Sequence, residues 1–398
     1  MMILTADQKN AILKSMVIHI ESIREELIDN NREELAAFAG GDKAMFDRLK
    51  VDDAKVDEMK QSLTDVLAKE DPIGKLIFNY DHPNGMQVEN RTAPFGCILI
   101  IYESRPDVTV EAAAIAFKSG NRILLKGGKE SRKSNLMLVD CWHKALSEHG
   151  QSTEWIQYLD FDRTATQDFL RNPSQPLDLI VPRGGDGLIN FVKQHASCPV
   201  LVSGRGNNFV YVHSEADWEK AESIIRNAKL TKISACNAVD KVLVDKDFPE
   251  FNERVSTLMS GLMKEKVEVY ANINSSNGVQ PTAWDKDDIL YEEFLDYKIL
   301  IDRTDNIQAA IQTINEYSGG HSATIITEDK EAARLFMNSV DVAAVYQNAS
   351  TRFTDGGQLG LGAELAISTD KLHHRGPLGL DQLVTNKWYI YGDGQIRE

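Results

Sequence analysis

The sequence predicts an α/β protein made of two doubly wound parallel sheets and a small β arm. Three observations carry this. Short apolar runs alternate with helical stretches twice over, once before and once after Cys236. A turn sequence, DHPNGM at 81–86, lies between two extended stretches outside that alternation. The chain then closes on NKWYIYGDG, a strand rich in aromatic residues.

Each element follows from its pattern. Residues 5–70 are charged and helical: Ala11, Ile12, Met16, Ile20, Ile23 and Leu27 recur at helical spacing. GGDK near Gly40 breaks that pattern. From Ile73 to Arg91 the turn signal predicts a hairpin. CILIIYE (97–103) and RILLK (122–126) then flank VEAAAIAFKSG (110–120), a βαβ unit. The series continues with a helix over 130–149 and the strands LDLIV (177–181), PVLV (199–202) and FVYV (209–212). Helices are expected over 185–194 and 215–229.

A second series begins at Cys236. Its strands are KVLV (241–244), VEVY (267–270), YKILI (297–301), ATIIT (323–327) and VAAVY (342–346). Helices are expected over 248–264, 306–317 and 328–338. Such alternation predicts parallel, doubly wound sheets. The terminal Trp- and Tyr-containing strand suits pairing with a partner subunit.

The 398 residues suffice for two or three domains. With 44 basic against 60 acidic residues the net charge is -16, which offers no broad surface for nucleic acid. Local cations and oriented N–H groups can still bind an anion. Cys97, Cys141, Cys198 and Cys236 are widely spaced, so neither a metal site nor a disulfide framework is expected. No apolar run reaches membrane-spanning length, and a reduced, cytoplasmic protein is the expectation.

Cys97 lies in an apolar strand, Cys141 beside Trp142, and Cys198 before a proline, which suits buried thiols. Cys236 sits instead between a helix and a strand at the junction of the two series. Position alone leaves nucleophile and buried thiol both open. In VPRGGDGLINFV (181–192) a strand feeds Arg183, Gly184 and Gly185 and then a helix, an arrangement suited to an anion. LLKGGKE (124–130) places Lys126 and Lys129 near a strand's carboxyl end. GRGN (204–207) reads as a tight turn. The long segment QNASTRFTDGGQLGLGAELAIS (347–368), followed by KLHHRGP (371–377), carries Arg352 and Arg375, which suit a carboxylate or phosphate.

Taken together these motifs resemble the γ-glutamyl phosphate reductase (glutamate-5-semialdehyde dehydrogenase) family, a branch of the aldehyde dehydrogenase superfamily. The resemblance runs along nearly the whole chain. It rests on DHPNGM, IYESRPDVTVEAA, KSGNRILLKGGKE, DLIVPRGG, SACNA, GGHSATIITE, AAVYQNASTRFTDG, GLGAE and KLHHRGPLGLDQL. It implies an aldehyde-dehydrogenase-like fold with an NADP-binding domain (1–73 and 95–230), a catalytic domain (231–381) and an oligomerisation arm (74–94 and 382–398). It also implies NADPH-dependent reduction of L-glutamyl 5-phosphate to glutamate 5-semialdehyde and phosphate, with Cys236 as nucleophile forming a thioester.

By the same resemblance Lys126, Lys129, Arg183, Gly184, Gly185 and Glu293 bind NADP(H). Arg105, Ser350, Thr351, Arg352 and Arg375 bind substrate. Lys129 stands where NAD-preferring relatives often carry Glu, which suits the 2′-phosphate of NADP. Ser203 stands where hydrolytic aldehyde dehydrogenases carry the glutamate that activates water, so water attack on the thioester is disfavoured. Asp107 stands where many bacterial members have Asn, and His373 keeps a family position. A separate glutamate 5-kinase is implied as pathway partner, with a homo-oligomeric assembly. The alternatives are a hydrolytic aldehyde dehydrogenase and a non-catalytic binding protein that keeps the fold.

Overall fold

In the computed structural model residues 4–38, 43–273, 275–276, 278–284 and 288–397 are described. The break expected at Gly40–Asp42 lies outside them. The chain forms two compact units. The first holds the described residues up to Val202 with Gly360–Ala366 and those from Leu378 on; the second holds Ser203–Leu359 with Ile367–Pro377.

The first unit opens with helix Ala6–Ser22. Thr5 and Gln8 cap it reciprocally, with Gln8 N–H donating to Thr5 Oγ1 at 3.3 Å and Thr5 N–H to Gln8 Oε1 at 2.9 Å. Its strands are β1 (Leu76–Asp81), β2 (Gln87–Pro94), β3 (Cys97–Tyr102), β4 (Arg122–Lys126), β5 (Ile156–Tyr158) and β6 (Leu179–Arg183). A parallel sheet runs β5-β4-β3-β6. All six residues of β3 are buried, as a strand covered on both faces requires. Ile98 and Ile100 pack with Ile123, Leu125 and the helices Pro106–Lys118 and Arg132–Glu148. Cys97, Leu99 and Ile101 pack with Leu124, Ile180, Phe169 and Val192. Each such side chain contributes roughly 1.5–3 kcal/mol by leaving water. The winding reverses between β3 and β6, and ligands bind such sheets beyond the carboxyl ends of strands at that point.

β2 is the middle strand of the arm. It pairs antiparallel with β1 and with the C-terminal strand Val384–Tyr391, in register Trp388↔Asn90 and Tyr391↔Gln87. Ile77, Phe78, Trp388 and Ile390 are exposed, and the Phe78 and Trp388 rings meet edge to face at 5.9 Å. Upstream of this strand the Asn121 carboxamide donates to Leu383 O at 2.8 Å, and the Lys75 ammonium meets Asp381 at 2.9 Å.

The second unit holds β7 (Asn208–Val212), β8 (Val239–Asp245), β9 (Glu268–Tyr270), β10 (Lys298–Thr304), β11 (Ser322–Ile326) and β12 (Ala344–Gln347). The parallel order is β12-β11-β7-β8-β10-β9. Helices Trp218–Leu230 and Phe251–Lys264 cover the face bearing Val210, Val212, Val242 and Val244. Helices Ile307–Tyr317 and Lys330–Ser339 cover the face bearing Phe209, Tyr211 and Leu243.

The structure differs from the sequence reading at two junctions. Strand 208–212 and helix 218–230, expected to end the domain 95–230, belong to the second sheet, with Tyr211 paired to Leu243 and Ile325. Residues 360–366 and 378–381, expected in the domain 231–381, pack with the first unit, where Leu365 N–H donates to Leu378 O at 2.8 Å. An apolar strand fits either sheet by pattern, because pairing across sequence distance leaves no local trace. The expected strand PVLV reduces to a bridge from Val200 to Ile180. Elements not anticipated include β5 and the helices Arg163–Arg171 and Asp288–Tyr291.

Candidate active site

Cys236 lies at the amino end of β8, in two successive turns closed by Ala235 N–H to Lys232 O (3.2 Å) and Ala238 N–H to Ala235 O (3.0 Å). It is half-buried and forms no disulfide with a described residue. Two asparagines hold its loop. The Asn208 carboxamide nitrogen lies 2.7, 2.8 and 2.6 Å from the carbonyls of Gly206, Cys236 and Ala238. The Asn237 carboxamide donates to Arg352 O (3.2 Å) and Thr354 O (2.9 Å), and Thr351 Oγ1 donates back to Asn237 O (2.8 Å). Gly206 is required: a Cβ there would sit 2.0 Å from Cys236 O. The GRGN turn is packed at its start too, since a Cβ at Gly204 would lie 2.3 Å from Thr369 Oγ1.

These bonds carry Arg352 to the cysteine. Its Nε and Nη1 are buried and have no hydrogen-bond partner among the described residues. Burial pulls the guanidinium down from its usual value, while Cys236 and Asp355 act in the opposite sense. Coulombic coupling is reciprocal, so the same interaction favours the Cys236 thiolate. The sequence offered no basic neighbour for this thiol; the fold supplies one from 116 positions along the chain.

The other expected substrate residues are engaged differently. Ser350 Oγ accepts from Arg352 N–H at 3.3 Å, and the Thr351 hydroxyl is committed to Asn237. Both side chains hold the loop. Arg375 donates to the Asp341 carboxylate at 2.5 Å and to Asp341 O at 2.9 Å, and Lys371 also reaches Asp341 at 2.8 Å. Hydrogen bonds from Lys371 and Arg375 hold the Asp341 carboxyl below its usual range. Beneath the loop, Thr354 Oγ1 meets Ser322 Oγ (2.7 Å) and Tyr346 OH (2.8 Å), and Ser322 meets His321 Nδ1 (2.7 Å). Burial pushes His321 down to about 4, so its imidazole is neutral at pH 7.

In the first unit, Lys126 ends β4 and Lys129 lies in the following single turn, exposed. Lys126 Nζ donates to Gly127 O at 2.7 Å, and burial pulls its ammonium below the usual value. Gly127 and Gly128 permit close packing: a Cβ would lie 2.3 Å from Asn135 Nδ2 at the first and 2.5 Å from Ser104 Oγ at the second. Asn135 is set by the buried chain Tyr102 OH, Thr109 Oγ1 (2.7 Å) and Asn135 Oδ1 (3.0 Å).

At the end of β6, Gly185 precedes helix Asp186–His195 as expected, and a Cβ on Gly185 would meet open space. Yet Gly185 N–H donates to Glu103 Oε1 at 3.1 Å, and Arg48 lies 3.5 Å from the same carboxylate. A resident anion therefore serves that turn. Arg105 pairs with Asp107 at 3.3 Å, and Lys55 is 3.9 Å from the same carboxylate. Burial pushes Asp107 up, but Arg105, Lys55 and Arg183 together hold it below its usual range. Burial and the Asp107 charge push neighbouring Glu111 up to about 7.

Two parallel α/β sheets, one preceded by the Cys236 turn and the other ending β4 at Lys126, are the architecture of a dehydrogenase. The chain belongs to the aldehyde dehydrogenase family, which residues 4–277 match. Its similarity to gamma-glutamyl phosphate reductases extends along its whole length. It is 40% identical over 395 residues to that of Clostridium botulinum, covering 99% of this chain and 95% of that protein. It is 38% identical over 398 residues to that of Dictyoglomus thermophilum, covering 100% and 95%. The crystal structure of the Thermotoga maritima gamma-glutamyl phosphate reductase superposes with a TM-score of 0.91 at 38% identity, covering 99% of this chain and 95% of that one. An acetylating aldehyde dehydrogenase from Geobacillus thermoglucosidasius shares the fold at 17% identity and a TM-score of 0.71, covering 99% and 94%.

Enzymes of this family use a nicotinamide cofactor. The close approach at Gly127 and Gly128, the two lysines beside it and the open space at Gly185 fit such a group. The enzyme acts on a small molecule, and among the described residues no helix is long and apolar enough to cross a membrane.

Proposed function

We propose that this chain reduces L-glutamyl 5-phosphate to L-glutamate 5-semialdehyde and phosphate, with NADPH, through a thioester on Cys236. The observation that carries the reading is the Arg352 guanidinium held against the Cys236 turn with two buried nitrogens unpartnered among the described residues. The Cys236 thiolate attacks the γ-carbonyl carbon, the bond from that carbon to the phosphate oxygen breaks, and phosphate leaves. Arg352 stabilises the thiolate before attack and sets its positive charge toward the departing anion. The Cys236 backbone N–H is the natural donor to the tetrahedral oxyanion. When bound, NADPH supplies the hydride that takes the thioester to the aldehyde level. Ser203, a hydroxyl where a general base would activate water, protects the thioester from hydrolysis.

The assignment among arginines follows from their partners. Arg105 and Arg375 already have carboxylates, Asp107 and Asp341, whereas the Nε and Nη1 of Arg352 await one. Arg352 is therefore the phosphate ligand, and Arg375, in the same unit, serves the α-carboxylate. Lys126 faces the adenosine ribose and Lys129 its 2′-phosphate, which selects NADP. Gly184 and Gly185 give shape beside the Glu103 carboxylate, and Glu293 holds the nicotinamide ribose. The arm's exposed Trp388 and Ile390 support a homo-oligomer, and four cysteines outside any disulfide support a cytoplasmic site, beside a glutamate 5-kinase that supplies the acyl phosphate.

The test runs the reaction backwards. NADPH formation from the semialdehyde and NADP is followed with and without phosphate, for the native protein and Cys236→Ala. Phosphate-dependent turnover that vanishes in the variant is expected. Turnover without phosphate would move the chain to the hydrolytic dehydrogenases.

A further inference from the structure

Three charged side chains of the second unit are buried together where no catalytic step uses them. Lys229, near the end of helix Trp218–Leu230, is fully buried; so is Lys241 on β8, and Asp240 beside it is 2% exposed. Lys229 Nζ meets Asp240 Oδ1 at 2.9 Å. Two ammonium groups around one carboxylate leave an excess of buried positive charge, which a core does not hold without compensation.

The compensation lies in the segment that follows helix Asp288–Tyr291. Lys241 Nζ donates to Glu292 O at 2.8 Å and stands 3.7 Å from the centre of the Phe294 ring. The second oxygen of Asp240 accepts Phe294 N–H at 2.8 Å. Lys229 Nζ lies 5.9 Å from the same ring, whose other neighbour is the stacked Tyr270 ring, also at 5.9 Å. The backbone is thus gripped on both sides of Glu293. It is also bent: Leu295 has φ 47, a left-handed conformation that a leucine adopts only when its surroundings hold it there. The carboxylates of Glu292 and Glu293 act favourably on Lys241, so their charge completes the balance.

We propose that Lys241, braced by Asp240 and Lys229, is a positioning residue that sets Glu293 for the nicotinamide-side ribose, and that cofactor affinity falls when the Lys241 ammonium loses its proton. This rests on the Glu293 role given above. The device suits a carboxylate that must accept hydrogen bonds from two hydroxyls at fixed spacing. The groups facing Lys241 are Lys229 from the helix, Asp240 from its own strand, and Glu292, Glu293 and Phe294 from the segment; Asp296 acts on Lys229. Desolvation, the largest influence, lowers Lys241 to about 8.

The experiment measures the dissociation constant of NADPH by fluorescence titration in a Cys236→Ala background, where the thiol does not titrate. In the parent the constant is expected to rise as pH passes through about 8. With Lys241→Met added it is expected to be weaker by about tenfold at neutral pH and flat across the same range. Lys241→Arg, which keeps the charge without titrating, restores neutral-pH affinity and stays flat. A parent constant unchanged from roughly pH 7 to 9 overturns the proposal without any variant. Native affinity in Lys241→Met alongside weakened affinity in Glu293→Gln also overturns it, while leaving the Glu293 role in place. If Glu293→Gln binds NADPH normally, that role itself fails and the positioning proposal falls with it.

Discussion

Replacing Asn208 by alanine isolates the grip on the cysteine turn. The carboxamide has two N–H donors and sits 2.6–2.8 Å from three carbonyls, two of them buried and the third that of half-buried Cys236. Truncation leaves at least two acceptors without donors in a space too enclosed for full hydration. Each costs about 1–3 kcal/mol, giving about 2–6 kcal/mol in all. For a unit of this size about 2–4 °C of melting temperature corresponds to each kcal/mol, so a fall of roughly 4–24 °C is expected. The loss of activity should exceed the loss of folded protein, because the released turn carries the nucleophile and loosens its register with Arg352. Differential scanning fluorimetry gives the first quantity, and kcat/KM of the phosphate-dependent reverse reaction gives the second. Asn208→Asp is the informative companion. It keeps the size but sets carboxylate oxygens against three carbonyls, so it must be worse than alanine. An aspartate variant more stable than the alanine one would refute the view that Asn208 acts as a double donor.

Other substitutions test the remaining parts. Arg352→Met should slow iodoacetamide alkylation of Cys236 at neutral pH, move its pH profile upward, and raise KM for phosphate by about tenfold or more. Lys129→Glu should lower the NADP over NAD preference in kcat/KM by at least about tenfold, read from steady-state rates with each cofactor. His321 gives a pH signature in stability. Its folded value of about 4 lies below the unfolded one, so the unfolded chain binds more protons between about 4 and 6.5. Stability therefore falls as pH drops through that window, by about 3 kcal/mol, and urea midpoints for His321→Gln should decline less over the same range. Glu111 has the opposite sign: its raised value means stability is lost as pH rises toward about 7, so Glu111→Gln should stabilise more at pH 8 than at pH 5.

The sequence made the frame readable where local pattern decides. CILIIYE and RILLK became β3 and β4, and DHPNGM became the turn between β1 and β2. What escaped was set by pairing or by burial of charge. Ile156–Tyr158 is three residues long and lacks an apolar period. Strand 208–212 is apolar from Phe209 on and could have joined either sheet. Lys241 opens the run KVLV, yet it is fully buried because the 292–294 segment reaches it from elsewhere in the chain. His321 lay within the quoted motif GGHSATIITE, but nothing local showed that it would be buried and neutral. Asn208 and Asn237 look like ordinary turn residues until the carbonyls they serve are known.

The arginines show how partner bookkeeping separates scaffold from site. All three expected arginines sit in polar, glycine-rich or turn sequence, and residue type alone cannot rank them. The fold gives Arg105 and Arg375 internal carboxylates, so binding an external anion there must compete with a pair already formed. Arg352 is buried enough that its charge is costly, and two of its nitrogens lack any hydrogen-bond acceptor among the described residues. A folded chain keeps such a group only if something beyond the fold repays it. In the proposed mechanism the thiolate of Cys236 repays part of that cost before attack. An anion leaving from the same carbon that the thiolate attacks repays the rest at the moment the bond breaks, which is when a catalyst gains most from it.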